Sequence, residues 1–474
     1  MTKPIRRVAV IGAGPAGAIA TDALVKEQAF DTIRVFERQD IPGGTWVWTP
    51  ATSRRIPSLR DLLKQRLDRG VPLPGSFPCQ TEVAEAINSS QLRFADTGAH
   101  EHLHSNLPPG IMCFTQEPIP ARLSERTVTR YGQDSPFRHR EVIREWVGDI
   151  FTRGNHHDLV EFGTTVEQAE HTGDEWVLTL RKTLKSTNNL WWQERFDAVV
   201  VATGHYYLPY IPDIPGLADF DESFPGIVQH SKHYRNAEDY GGKRVIVVGG
   251  SVSAFDAIHD IRQVASKPVI SSLRQPSPLF GTAPFTHPDI DNRPQIARFD
   301  AETGTVHFAD GSSTDAVDVV LFATGYDFSF PFLPELQGPH KRVPGLYYHV
   351  FSIDRPNLAF IGMVTGGFGI RVFEWQAVAT ARMFAGRATL PSHEEMKMWE
   401  QDRLATRGDG APFWTLMPDF ETYFEQLRLL AGDPAPGSTG RTLPKYDPAW
   451  AEAFWQLIER RIQWWTGESQ AASR

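Results

Sequence analysis

A chain of 474 residues exceeds what one hydrophobic core usually organises, so more than one lobe is expected. Hydrophobic residues make up 41% and charged residues 22%, which excludes a disordered or fibrous chain. A net charge of −9 argues against nucleic acid as a partner, and two cysteines, Cys79 and Cys113, leave no disulfide framework, zinc spacing or paired dithiol redox centre.

The first element is the apolar run Val8-Ala9-Val10-Ile11, reached so early that no signal peptide is expected before it. It leads directly into Gly12-Ala13-Gly14-Pro15-Ala16-Gly17, a glycine pattern that turns a buried strand tightly into a helix and aims its free N–H groups at a pyrophosphate. A helix over about 15–29 and a strand over 33–36 complete a βαβ unit. Glu37 follows twenty residues beyond Gly17, where an acid can accept hydrogen bonds from ribose hydroxyls.

A long irregular stretch, 47–104, is expected to be an insertion or a functional cover, with a short helix near 59–67 and a stiff Val71-Pro72-Leu73-Pro74-Gly75 piece. Alternating segments at 158–167 and 176–180 read as antiparallel strands, and 196–204 as a buried strand ending in Ala202-Thr203-Gly204.

A second fingerprint, Gly249-Gly250-Ser251-Val252-Ser253-Ala254, follows the run Val245-Ile246-Val247-Val248. It departs from the ideal at Ser251, where a second glycine would let backbone approach the pyrophosphate. The next strand, 268–271, runs into Ser271-Ser272-Leu273-Arg274, and a basic residue with hydroxyl neighbours suits the 2′-phosphate of NADPH. A further strand, 317–326, ends in Ala323-Thr324-Gly325, so two Ala-Thr-Gly strand ends bracket the second fingerprint.

That bracketing predicts an α/β fold of two nested dinucleotide-binding, Rossmann-like domains. Two dinucleotide sites in one chain suggest a relay between a nicotinamide donor and a flavin, so residues 1–204 are expected to form the first part of an FAD domain, 205–325 an inserted NADP(H) domain, and 326–474 the rest of the FAD domain with C-terminal helices. A strand at 358–363 and a helix at 370–384 belong to that last part. Trp455, Leu457, Ile458, Ile462 and Trp465 recur at helical spacing, which predicts a terminal helix docked on the core; no apolar run is long enough to span a membrane. His102, His104, His156 and His157 lack ligand spacing, so no metal is expected. The few cysteines suit a reducing, cytoplasmic location.

The segment Phe224-Pro225-Gly226-Ile227-Val228-Gln229-His230-Ser231-Lys232-His233-Tyr234 reads as F-x-G-x-x-x-H-x-x-x-Y. Phe36-Glu37-Arg38, Gly43-Gly44-Thr45-Trp46, Leu103-His104-Ser105-Asn106-Leu107-Pro108, Thr203-Gly204-His205-Tyr206, Phe322-Ala323-Thr324-Gly325-Tyr326 and Glu374-Trp375-Gln376-Ala377 accompany it. Together with both fingerprints, these motifs resemble the flavin-containing monooxygenases, class B flavoprotein monooxygenases, over nearly the whole chain. The segment 47–104 is longer than in animal relatives.

The resemblance implies FAD and NADPH as cofactors and a small molecule and O2 as substrates. NADPH would reduce the flavin, O2 would add at C4a as a hydroperoxide, and one oxygen atom would pass to a soft nitrogen or sulfur nucleophile. Asn106 would be the active-site amide, orienting the nicotinamide without titrating. Gly44, Thr45 and Trp46 would line the flavin ring beside Gly43, Val166 would meet the adenine through its backbone, and Gln376, at a helix start, would face the pyrimidine edge. Arg38, Thr203 and Gly204 join Glu37 and the first fingerprint in the implied cofactor set; Gly249, Ser251, Ser253, Ser272 and Arg274 complete it. His230 is expected to be a structural link. Two other readings stand beside this one. A Baeyer–Villiger enzyme would act on ketones, but that group tends to carry Trp where this chain has Tyr234. A non-catalytic redox sensor would not need Asn106.

Overall fold

The computed structural model describes residues 3–48, 58–65, 68, 70–82, 97–184, 188–336 and 341–472. Strand β1 (Arg7–Ile11) turns into helix α1 (Pro15–Glu27), which begins with Pro at its first position and ends where Gln28 adopts a left-handed φ of 54°. Strand β2 (Thr32–Phe36) lies parallel to β1 with Val35 opposite Val10, and strand β3 (Ala198–Val201) lies on the other side with Val200 opposite Val10. The run at 8–11 is apolar throughout because both faces are covered. Val8 and Val10 belong to the core under α1, whereas Ala9 and Ile11 pack with Trp176, Leu178 and Leu180 of an antiparallel sheet.

The second apolar run forms strand β4 (Val245–Val248), followed by helix α2 (Val252–Ile261), strand β5 (Val269–Leu273) and, later, strand β6 (Val319–Phe322). With Val228–His230 outside β6 and Ile290–Pro294 outside β5, they form a five-stranded, wholly parallel sheet. The chain then returns to the first lobe as strand β7 (Leu358–Phe360), parallel to β3, and helix α3 (Val372–Phe384), which packs on α1. The first lobe thus holds a seven-stranded sheet drawn from both ends of the sequence, with the five-stranded sheet built between them. The fold is the nested double Rossmann-like arrangement that the bracketing implied. The segments crossing between lobes pair with each other: Leu208–Pro209 runs antiparallel to Tyr326–Asp327, and the Tyr210 N–H donates to the Gly325 carbonyl at 2.9 Å.

Several boundaries differ from the sequence pattern. The alternation over 158–167 is not one strand. Val160–Glu161 joins the main sheet parallel to β2, and Gly163, at a φ of 62°, turns the chain into Thr164–Thr172 of the antiparallel sheet. The short helix spans Leu59–Gln65; positions 66 and 67, like 49–57 and 83–96 of the expected cover, lie outside the described residues. The terminal helix α4 (Pro448–Ala472) docks as expected, burying Phe454, Leu457, Ile458, Arg461 and Trp465. Among the described residues, no helix is long and apolar enough to cross a membrane.

A buried charge network fastens the first lobe. Arg441, 1% exposed, bonds Asp22 of α1 and reaches Glu374 of α3 at 2.9 Å, while Glu374 also accepts from the Thr115 amide and hydroxyl at 2.7 and 2.8 Å.

Candidate active site between the two lobes

The two fingerprints are built alike. The first glycine of each has a left-handed φ, 106° at Gly12 and 135° at Gly249. A Cβ at Gly12 would fall 2.7 Å from the Ala202 carbonyl oxygen, and one at Gly249 would fall 2.4 Å from that of Ala323. Each Ala-Thr-Gly strand end therefore presses its alanine carbonyl against a glycine that nothing larger can replace. In both lobes that alanine donates its N–H to the last residue of the neighbouring strand, Ile11 at 2.9 Å and Val248 at 2.8 Å.

Both following helices begin without a side-chain cap and without an acid in the first turn. The leading N–H groups of α1 and α2 are thus left for an anion, with the positive end of each helix dipole behind them. The Ser251 hydroxyl, which could have capped α2, does not. Gly14 and Gly44 touch backbone to backbone, a Cβ on Gly44 lying 2.9 Å from the Gly14 Cα, so the Gly44–Trp46 turn is held directly over the first fingerprint. This close glycine contact and the two uncapped helix ends fit a pair of dinucleotides.

One continuous cleft of about 2430 Å3 runs between the lobes. It is several times the size of an ordinary small-molecule pocket. Its wall includes Gly12, Gly14, Pro15, Ala16, Glu37, Arg38, Gly44, Thr45, Trp46, Asn106, Val166, Thr203 and Gly204 from the first lobe and its edge. Gly249, Ser251, Ser253, Ser272 and Arg274 line it from the inserted lobe. Ala13 is fully buried behind the turn, and Gly17 packs against the Gly12 carbonyl, so these two shape the loop rather than line the cleft.

Glu37 is 4% exposed and accepts the backbone N–H groups of Ala13 at 2.6 Å and Gln39 at 2.8 Å. Burial pushes its carboxyl above the usual range, and those amides pull it back. Asn106 is held by its neighbours: Ser105 is buried and bonds the Leu107 carbonyl and the Arg138 amide, both at 3.0 Å, and Leu107 is buried beside Gly369. With both flanks fixed, the Asn106 amide stands exposed to the cleft with no hydrogen-bond partner among the described residues. Arg274 is likewise exposed and makes no ion pair among the described residues.

Two expectations are corrected. Gln376 does not face the cleft: it is fully buried in α3, its Oε1 accepting from the Gly362 N–H at 2.9 Å and its Nε2 donating to the Tyr423 hydroxyl at 2.9 Å. It braces the Gly362 turn, and Gly362 is the residue that lines the cleft. The Ser272 hydroxyl donates to the Pro294 carbonyl at 3.0 Å, closing an interstrand bond, so Arg274 alone of that pair offers free donors. His230 behaves as a structural link. Its Nδ1 accepts from the Lys232 N–H at 3.0 Å, which leaves Nε2–H to donate to the Gly325 carbonyl at 2.9 Å, and burial lowers its pKa to about 3.

Other cleft residues were given no role by the sequence pattern. His205 is 4% exposed and wedged by Tyr206, Phe328 and Trp414, with the Gly362 backbone beside its ring. Burial pushes its pKa down to about 4, so it is a neutral ring at the cleft wall. Arg130 meets Asp260 of α2 at 2.6 Å, and Arg461 meets Asp256 at 2.6 Å. Arg461 was detectable: it falls three to four residues from Leu457, Ile458 and Trp465, on the buried stripe of α4.

The model of the flavin-binding monooxygenase-like family matches residues 104–280 and 287–429. Flavin-containing monooxygenase ustF2 of Aspergillus flavus is 27% identical over 94% of this chain and 96% of its own length. FMO GS-OX-like 6 of Arabidopsis thaliana is 33% identical over 82% of this chain and 74% of its own. Among solved structures, S-allyl-L-cysteine S-oxygenase of Allium sativum superposes with a TM-score of 0.72 at 23% identity, covering 97% of this chain and 93% of that one. An open form of cyclohexanone monooxygenase superposes with a TM-score of 0.55 at 16% identity, covering 92% and 99%.

Proposed function

Because the chain belongs to the flavin-binding monooxygenase-like family, with FAD and NADP(H) as its cofactors, we propose that it transfers one atom of O2 to the nitrogen or sulfur of a small molecule. FAD occupies the first lobe in this reading and NADPH the inserted one. Reduced flavin, when bound, supplies the electrons that activate O2, and the second oxygen atom leaves as water.

The residues of the chain bind, orient and exclude water. The uncapped start of α1 takes the FAD pyrophosphate, and Glu37 takes the ribose hydroxyls on the lone pairs its two backbone amides leave free. The start of α2 takes the NADPH pyrophosphate, with the Arg274 guanidinium reaching a 2′-phosphate. Asn106 presents two donors and an acceptor at the cleft wall and cannot leak a proton, which would suit protection of an activated oxygen.

The observation that carries this reading is that both fingerprints open on one cleft with an unpartnered Asn106 at its wall. A nitrogen or sulfur acceptor is favoured by Tyr234 at the end of the signature segment and by the S-oxygenase among the superposing structures. A Baeyer–Villiger reaction on a ketone is the runner-up, given the likeness to cyclohexanone monooxygenase. The test is to supply the FAD-loaded protein with NADPH, 18O2 and equal amounts of a thioether, a tertiary amine and a cyclic ketone. Labelled sulfoxide or N-oxide is expected. Labelled lactone as the main product would move the reading to the runner-up, and no labelled product with any acceptor would leave a redox sensor.

A further inference from the structure

Helix α4 touches both lobes. Its first turns rest on the first lobe: Trp450 lies 5.7 Å from Trp375 and beneath the Arg371 guanidinium at 4.4 Å, and Phe454 lies 6.0 Å from Phe420. Its last turns rest on the inserted lobe. Arg461 bonds Asp256 at 2.6 Å and lies over the Phe255 ring at 4.3 Å, Trp465 packs at 5.3 Å on both Phe255 and His259, and Glu468 pairs with Arg262 and with His259 at 3.3 Å. From Trp450 to Trp465 the helix rises about 22 Å.

Every one of those inserted-lobe contacts except Arg262, which follows directly, falls on α2. This is the helix whose uncapped start carries the second fingerprint. Arg130 of the first lobe grips the same helix through Asp260 at 2.6 Å. A rigid helix held along one side cannot swing its N-terminus independently, so whatever sits on Gly249–Ser253 is aimed by these contacts.

We propose that Arg461 and Glu468 are positioning residues: α4 is a strap that fixes α2, and through it the nicotinamide end of NADPH, against the flavin. The inference rests on placing NADPH in the inserted lobe. Arg461 is 8% exposed and stacked on an aromatic ring, so its pair with Asp256 is shielded from solvent on one side and geometrically narrow. Loss of the strap would leave FAD binding intact, since α4 meets the first lobe through Trp450 and Phe454, which changes at Arg461 and Glu468 leave in place. It would loosen the alignment on which efficient use of NADPH depends, because small displacements at a reacting centre are costly.

The experiment compares Arg461→Met, Arg461→Lys and Glu468→Gln in the FAD-loaded full chain. Amide hydrogen exchange is followed without NADPH, and the share of NADPH oxidised to hydrogen peroxide rather than product is measured per bound flavin. Arg461→Met is expected to raise exchange in 252–261 and 455–470 at least threefold and the peroxide share at least threefold, with FAD content unchanged. Arg461→Lys should recover at least half of the coupling. Glu468→Gln, at the more exposed end, reads the same junction should Arg461→Met fold poorly, and should move both measures in the same direction. Unchanged exchange in α2, or a peroxide share that does not move in the folded variants, overturns the strap. Failure of NADPH to reduce the flavin of the unaltered protein would overturn the cofactor placement as well.

Discussion

The Glu37 carboxylate and the Ala13 amide are 2.6 Å apart, so the acid that ends β2 holds the turn that ends β1. Glu37 thereby acts twice, shaping the fingerprint and presenting a buried acceptor at the cleft. Glu37→Gln sets an amide NH2 against a backbone N–H and is expected to weaken FAD binding roughly ten- to hundredfold, the scale of one charge-assisted hydrogen bond. A flavin fluorescence titration reads it; an unchanged dissociation constant would refute the ribose contact.

Asn106 stands in the cleft with its amide free while Ser105 and Leu107 are anchored, so its removal should not disturb the backbone. Asn106→Ala is expected to keep FAD and NADPH oxidation but to lower product formed per NADPH by on the order of tenfold, the balance appearing as hydrogen peroxide. Unaltered coupling would remove Asn106 from the chemistry.

Arg274 is exposed and free of ion pairs among the described residues, so none of these competes for its guanidinium. Arg274→Ala should raise the KM for NADPH roughly ten- to hundredfold and leave that for NADH nearly unchanged. Parallel effects on both would count against a 2′-phosphate contact.

Arg441 neutralises Asp22 and Glu374 in the core beneath α1 and α3. Arg441→Met removes the cation the two buried acids share, leaving Asp22 with Lys26 and His156 and Glu374 with Thr115, and is expected to cost about 3 kcal/mol, seen as a lower denaturant midpoint. A midpoint shift no larger than that of a surface substitution would show that water reaches the network.

The same network sets an acid limit. Although burial pushes the Asp22 carboxyl up, the His156 hydrogen bond and the Arg441 charge hold it at about 2, below its ordinary 3.8. A depressed folded value gives stability that is full above about pH 4 and is lost as pH falls toward 2. A shift of nearly two units corresponds to about 2 kcal/mol. Asp22→Asn should therefore be less stable than the parent at pH 6 yet flatten the decline between pH 4 and 2. An unchanged slope would assign that decline to other carboxylates.

Both fingerprints, the nesting and the docked terminal helix were legible in the sequence, because glycine spacing and apolar periodicity are local consequences of turn geometry and burial. The roles of Gln376 and Ser272 were not. Chain position places Gln376 near Gly362, but its side-chain direction depends on Tyr423, 47 residues on. Ser272 is spent on Pro294, a partner chosen by strand register. Arg461 is a charged residue in an apolar helix, and its spacing puts it on the buried stripe. Contacts between lobes involve partners more than a hundred residues apart, and no local pattern records the pairing.

The inserted lobe hangs from two legs, Leu208–Pro209 and Tyr326–Asp327, which are hydrogen-bonded to each other. A paired two-strand stem flexes easily across its plane, whereas swivelling about its length would shear the bonds between the legs. The legs alone would leave the lobe one soft motion, a nod that widens or narrows the cleft, and that motion is the one opposed by the grip of α4 and Arg130 on α2.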